Sequence, residues 1–429
     1  MQHGRKYALN TTWILIEKSA RILSGLLVGI LVARFLGPEQ FGILGYALNL
    51  AAVFTIVATA GMDGILTREL VLRKEDTNTL MGSALAIRIA GALLAIVVAT
   101  TYSAMRDSDF QTLIVLVVSA SMLFQSFTII DLYFSANVQG KFNAINQVIT
   151  LTISSIIKIL LIWFQASLIY FSSMLLVESI ISVAIQLYFF KKSSFKLRIA
   201  DARYKECVYL LKASFPFVLS GFIMLVYLKM DFVLIKRFLS LTELGNYNAA
   251  VRISEASYFI SAAVSGAVLP GLLNNIDNKE LFKERFTQLM SLLLWIGIFI
   301  IIGAFLLGDI VITFLYKEKY NLAPGVFKIH ILTVVPAYLG TLWSAWILAQ
   351  NKQKLFIYFY IVIFIVSVSL QLYFIPRYGI DGAAWAVVCT QLLSLLLFLS
   401  IYKPSFMWSV FISAFDFRNL FKLLRYIKS

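Results

Sequence analysis

The sequence predicts an all-α integral membrane protein, with about twelve transmembrane helices in two six-helix lobes. Three observations carry this. The chain of 429 residues is 60% hydrophobic and only 14% charged, with a mean hydropathy of +0.86. A soluble domain is roughly 45–50% apolar and 25% charged, so the excess needs hydrocarbon as its solvent. The apolar residues fall into runs of about 20, the length that crosses a bilayer core of about 30 Å. The two halves also resemble each other.

The runs lie near residues 12–34, 43–62, 80–104, 111–134, 144–165 and 168–190, then 214–237, 247–270, 289–307, 326–349, 355–375 and 380–401. The fifth and sixth are nearly continuous and need a tight turn near Gln165–Ser167. The first run follows Arg5 and Lys6, carries Glu17, Lys18 and Arg21, and has no small-residue cleavage site after it, so it reads as a span rather than a signal peptide. Pro216, Pro270 and Pro336 are expected to kink spans seven, eight and ten. Gly25 and Gly29 form a GxxxG, which close helix packing explains.

The formal charge is +15. In a membrane chain, Lys and Arg gather in cytoplasmic loops and set topology, so nucleic acid is not an expected partner. With a cytoplasmic N-terminus, the cations divide roughly three to one in favour of the cytoplasmic loops. The other side holds only Arg34, Arg106, Lys236, Arg237, Lys317, Lys319 and Arg377. Both termini are therefore expected in the cytoplasm. The expected organisation is a first lobe over residues 1–190, a basic cytoplasmic linker over 191–213, a second lobe over 214–402 and a basic amphipathic cytoplasmic tail over 403–429. That tail reads as a topology anchor lying on the anionic inner leaflet.

Residues 31–50 align without gaps on residues 234–253, matching Leu31 with Leu234, Arg34 with Arg237, Phe35 with Phe238, Leu36 with Leu239, Gly42 with Gly245 and Ala47 with Ala250. A second pair sets Asn137, Gln139 and Phe142 against Asn351, Gln353 and Phe356. Both pairs occupy equivalent places in a six-span half. Halves with an even span count share one orientation and are related by an axis along the membrane normal, an architecture of transporters.

Ionisable residues within the spans are the functional signal. They are Lys18, Arg21, Arg88, Lys158, Lys229 and Arg252, with Glu17, Asp131, Glu178, Asp231 and Glu255. Each costs about 2.5–3.5 kcal/mol at a helix centre, so they must face one another or a water-filled cavity. Arg21, Arg88, Lys158 and Arg252 are the leading cavity candidates, with Lys229 and Arg34 behind them. Polar stripes accompany them: Asn10, Glu17, Arg21 and Ser24 on the first span, Gln147, Ser154 and Lys158 on the fifth, Asn248, Arg252 and Glu255 on the eighth. Glu17 with Arg21, and Arg252 with Glu255, also stand at intrahelical pairing distance. Glu17 and Asp63 are the candidates for binding a coupling H⁺ or Na⁺.

Catalysis and cofactors find no support. Two cysteines, Cys207 and Cys389, lie far apart, and His3 and His330 are the only histidines, so neither a disulfide nor a multi-histidine metal centre is expected. There is no phosphate-binding GK[ST] loop, no HExxH and no G-x-S-x-G, and no loop has room for a nucleotide domain. The chain is not expected to be an enzyme or to carry a cofactor.

The segment VARFLGPEQFGILGYAL, straddling spans one and two, resembles the signature region of the O-antigen flippases (Wzx type) of the multidrug/oligosaccharidyl-lipid/polysaccharide exporter superfamily. ITFLYKEKYNLAPGVFKI at 312–329 and IPRYGIDGAAWAVV at 375–388 resemble later junctions of the same family, and the resemblance covers essentially the whole chain. It implies a fold like that of the multidrug and toxin extrusion (MATE) proteins, with a cationic cavity lined largely by spans 1, 2, 7 and 8. It implies a substrate of undecaprenyl diphosphate carrying an oligosaccharide, turned from the cytoplasmic to the periplasmic leaflet of the bacterial inner membrane by alternating access. Arg21 and Arg252 fit the cavity by span, and Arg34 carries over from the motif, in a role that includes a structural one. Membrane lipids, a polysaccharide polymerase and a chain-length regulator are the implied partners. Rival readings are a MATE-type cation antiporter, disfavoured by the excess of bases over acids within the spans, and a membrane enzyme on lipid-linked sugars, disfavoured by the short outward loops.

Overall fold

The computed structural model describes residues 2–191, 196–273, 278–350, 352 and 354–419, and every regular element among them is helical. Nine described segments are long and apolar enough to cross a membrane. Two of these, Ser24–Leu72 and Tyr358–Ile401, run to 49 and 44 residues and each holds two of the expected spans. The eighth expected span is not among the nine; it is formed by two helices of 16 residues.

The chain forms two compact units, Met1–Val233 and Leu234–Ser429. The first contains α1 (Gln2–Thr59), α2 (Asp63–Leu72), α3 (Thr77–Ala104), α4 (Asp109–Ser119), α5 (Ser121–Gln125), α6 (Ile129–Ala136), α7 (Gly140–Trp163) and α8 (Leu168–Phe190). It also takes most of α9 (Tyr204–Phe238), whose end crosses the boundary. Helix α1 holds spans one and two, kinked at Gly37 with φ 73°. That left-handed backbone suits a residue without Cβ, and Pro38 restarts the helix with a φ already set for it. The turn expected near Gln165 is present: α7 ends at Trp163, Gln165 has φ 48°, and α8 opens at Leu168. Within this unit α1 packs on α3, α4 and α7, and α8 packs on α4, α5 and α7.

Span two breaks at Ala60 and Gly61, both left-handed with φ 50° and 54°, and α2 restarts at Asp63. A Cβ on Gly61 would lie 2.9 Å from the backbone nitrogen of Val218 on α9, so the close approach of α9 requires glycine there. Pro216 does not break α9, which runs unbroken through it. Among the described residues, nothing lies within 4 Å of where a Cβ on Gly25 of the GxxxG would be.

Residues 196–203, part of the expected basic linker, lie strapped over the start of α3. The Lys196 N–H donates to Asn78 Oδ1 at 3.0 Å and the Arg203 N–H to Ser83 Oγ at 3.1 Å. A Cβ on Gly82 would meet the Arg198 carbonyl oxygen at 2.6 Å, so only glycine lets the strap settle. Arg73 then holds the start of α9: its Nη1 and Nη2 donate to Glu206 at 3.0 and 2.8 Å, a bidentate pair, and Nη2 also reaches Asp76 at 2.7 Å. The bonds to Glu206, then to Asp76, hold the guanidinium protonated above its ordinary range.

The second unit contains α10 (Leu241–Ala256), α11 (Tyr258–Leu273), α12 (Lys279–Tyr316), α13 (Ala323–His330), α14 (Val334–Ala349), α15 (Lys354–Ile401) and α16 (Pro404–Ala414). Helix α15 holds spans eleven and twelve across a kink at Gly379, φ 61°. Span ten breaks at a 3-10 turn over Ile331–Thr333, just before Pro336 in the first turn of α14. The side chain of Pro270 and residues Asn351, Gln353 and 420–429 lie outside what the structure describes. Helix α16 packs on α12 and α15 through buried Met407, Val410 and Ala414.

The internal repeat is visible as matching local structure. Ser240 N-caps α10 in a full capping box with Glu243, and α10 opens at Leu241, the repeat partner of Pro38. Phe41, Leu44 and Ala47 are buried in the first unit, and their partners Leu244, Tyr247 and Ala250 are buried in the second.

Candidate functional site

Among the described residues of the first unit, two ion pairs hold intramembrane charges: Arg88 with Asp63, and Lys158 with Glu178. Arg88, in the middle of α3, is 1% exposed. Its Nη2 donates to Asp63 Oδ1 at the break of span two, and its Nη1 donates to Thr128 Oγ1 at 2.8 Å. The Asp131 carboxylate adds to the field at the guanidinium. The Asp63 side chain is 62% exposed, so a buried cation stands behind an open carboxylate. The broken span creates this arrangement: Asp63 occupies the first turn of α2, where the helix dipole also favours a negative charge. Among the described residues, the Arg88 Nε has no hydrogen-bond partner.

Lys158 on α7 meets Glu178 on α8 at 2.6 Å, and Ser154, one turn earlier, donates to the same carboxylate oxygen. The polar stripe of the fifth span therefore serves two neighbours. Its Gln147 meets α1, as does Ser155, which lay outside the expected stripe: Arg21 Nη2 donates to Gln147 Oε1 at 2.8 Å and Ser24 lies 2.9 Å from Ser155. Arg21 itself is exposed. Arg34 is half-buried just before the Gly37 kink. Lys229 is half-buried on α9, with its ammonium 5.7 Å from the centre of the Phe232 ring. The side chain of Glu17 lies outside the described residues.

Arg252 belongs to the second unit, half-buried on α10 and within electrostatic reach of Tyr316. Nearby lies a polar network built on His330, which sequence reasoning considered only as a metal ligand. Its signal in the sequence is slight, a lone histidine in an apolar span. No described group of three or more His, Cys, Asp or Glu could hold a metal ion. The partnership of Arg88 with Asp63 and Thr128 was equally hidden, since positions so far apart share no helical period.

The residues from 8 to 276 match the family model described as "Polysaccharide biosynthesis protein". The chain belongs to that family. Among curated relatives, a putative O-antigen transporter of Shigella flexneri is 23% identical over 383 residues, covering 83% of this chain and 88% of the relative. A second putative O-antigen transporter, from Shigella dysenteriae, is 25% identical over 224 residues, and this match spans 56% of that protein's length and 52% of the chain. A capsular polysaccharide biosynthesis protein of Staphylococcus aureus, CapF, is 23% identical over 404 residues, covering 90% of this chain and 98% of that protein.

Among solved structures, the lipid II flippase MurJ in an inward closed conformation aligns with a TM-score of 0.74 at 15% identity, covering 95% of this chain and 90% of MurJ. An inward-facing MATE family transporter aligns with a TM-score of 0.66 at 13% identity, covering 92% of this chain and 98% of the other. At these identities the likeness establishes the fold: a MurJ- and MATE-like membrane transporter fold, as the sequence resemblance implied. The family match, the apolar helices and the fold make the chain a multi-pass membrane protein of polysaccharide biosynthesis, and its relatives and structural neighbours are named as transporters and flippases rather than as enzymes.

Proposed function

We propose that the protein is a flippase that turns a polyprenyl-diphosphate-linked oligosaccharide, an O-antigen or related repeat unit, from the cytoplasmic to the periplasmic leaflet of a bacterial inner membrane. The observation that carries this reading is the family match together with relatives named as O-antigen transporters across most of the chain. The chemistry agrees with it. A diphosphate cannot cross hydrocarbon with its hydration shell, and arginine replaces that shell with paired, charge-assisted donors. Arg21 is the best-placed cation of the first unit, because its side chain is exposed and its guanidinium donates to Gln147 of α7. Arg252 is its counterpart in the second unit. Arg88 and Lys158 act at one remove, through their acidic partners, and Lys229 and Arg34 stand as secondary contacts. For coupling, Asp63 and Glu17 remain the proposed H⁺ or Na⁺ groups. At Asp63 a cation would act by competing with Arg88 for the carboxylate.

Arg21→Ala is expected to weaken a direct diphosphate contact by about 1.5–3 kcal/mol, or roughly ten- to hundredfold in affinity. Arg21→Lys is expected to lose less, since the charge stays and only the fork is lost. Surface polysaccharide in a flippase-null strain, at matched protein level, measures this. Wild-type polysaccharide from Arg21→Ala and Arg252→Ala alike would overturn the cationic reading.

Orientation is tested separately. The proposed topology places both termini and residues 191–213 in the cytoplasm. Cys207, half-exposed near Ser83, reports on it in a Cys389→Ser background. An impermeant maleimide is expected to label it in inverted vesicles and not in intact cells. Labelling in intact cells would reverse the assignment.

A further inference from the structure

Two spans of the second unit are broken at the same joint. Span eight breaks at Ser257, between α10 and α11, and span ten breaks at Ile331–Thr333, between α13 and α14. Hydrogen bonds join the breaks. The Tyr338 hydroxyl of α14 donates to the Ser257 carbonyl at 2.7 Å. The Tyr258 hydroxyl and Thr333 Oγ1 lie 2.6 Å apart, and Thr333 in turn donates to the His330 carbonyl at 2.6 Å. At the centre is His330, 3% exposed, with Nδ1 2.6 Å from Ser254 Oγ, and with the Tyr247 ring edge-on at 6.4 Å. Broken helices inside a membrane survive where side chains take up the freed backbone groups, and this joint does that.

We infer that His330 is a proton-binding site that sets the joint between the two broken helices of the second unit. Imidazole is the side chain whose ordinary titration falls between about pH 5 and 8. The neutral ring has one donor and one acceptor nitrogen, and the protonated ring has two donors. Ser254 has a single hydroxyl proton and two acceptors in reach, Nδ1 at 2.6 Å and the Val251 carbonyl at 3.0 Å. In the tautomer that accepts from Ser254, a proton taken from water onto Nδ1 removes it as an acceptor and commits the Ser254 hydroxyl to Val251, in the last turns of α10 before the break. Protonation therefore changes a bond at one end of the hinge and adds a positive charge there.

Charged and titratable groups face the joint from several elements. On α10 these are Arg252 and Glu255, whose carboxylate acts on the Tyr258 hydroxyl. On α12, Tyr316 lies toward Arg252, and Asp309 is held by Lys328 of α13 at 2.6 Å. On α15, Asp381 lies against Gly325 of α13.

The test uses the full-length protein in lipid nanodiscs, carrying His3→Gln so that His330 is the single histidine. Ring-nitrogen NMR follows its protonation, and backbone hydrogen exchange, corrected for intrinsic rates, follows segments 250–262 and 328–340. The ring is expected to titrate between about pH 5 and 8, with exchange at the joint about fivefold faster in the protonated state. His330→Gln, which keeps a hydrogen-bonding side chain without a proton to gain, is expected to abolish that dependence. Ser254→Ala is expected to leave the ring titrating while exchange becomes fast in both states. A ring that stays neutral across the range overturns the inference. So does exchange at the joint that ignores its protonation, or a pH response that persists in either variant. The inference does not depend on which molecule is carried.

Discussion

Asp63→Asn is expected to be the most damaging single change in the first unit. It leaves the guanidinium of Arg88, 1% exposed, without the carboxylate that its Nη2 contacts. Removing one partner of a buried pair costs about 3–5 kcal/mol, because the remaining charge is stranded. Thr128 and the field of Asp131 place the effect toward the lower end. Arg88→Met is expected to cost less, since it strands only a carboxylate that is 62% exposed and can be hydrated. The double variant is expected to recover most of the loss. Thermal unfolding in nanodiscs measures all three. A double variant no more stable than Asp63→Asn alone would show that the pair does not carry the effect. The same series bears on coupling, because transport retained by the stable double variant would remove Asp63 as a cation-binding group.

Trp343→Ala is expected to have the largest effect in the second unit, about 3–5 kcal/mol. Trp343 of α14 is 1% exposed and stacks on Phe398 at 4.2 Å between ring centres. Phe398 stacks in turn on Phe359 at 4.3 Å. These two rings sit on opposite arms of α15, either side of the Gly379 kink, so the indole clasps spans eleven and twelve together. Lipid tails are as apolar as leucine, so contact dispersion lost to a cavity, rather than transfer from water, dominates here. Trp343→Phe is expected to lose less than half as much, since a ring still reaches Phe398. Equal unfolding temperatures for wild type and Trp343→Ala would refute the clasp.

Both residues illustrate what a sequence exposes and what it hides. Arg88 announced itself as a charge within an apolar run, where the cost of insertion demands a partner. Its partner did not, because Asp63 meets it only after span two breaks at Ala60 and Gly61 and turns the start of α2 toward α3. Lys158 read as a cavity cation from its polar stripe, and the structure sets it on Glu178 of the next helix. Arg21 read as one member of a polar stripe on its own helix, and the structure adds a bond across to Gln147 of α7.

What the sequence determined by itself was the class of molecule. Composition demanded a bilayer, run length gave helical spans, the repeat gave two matched halves, and the motif near Gly37 pointed to the family that the comparisons then established. Each of these is a local or summed property, readable because a bilayer tolerates so few backbone structures. The tertiary structure decided which charges pair, where spans two, eight and ten break, how residues 196–203 strap onto α3, and that His330 lies at a joint. Those outcomes depend on contacts between residues tens of positions apart, and helical periodicity along a single span carries no record of them.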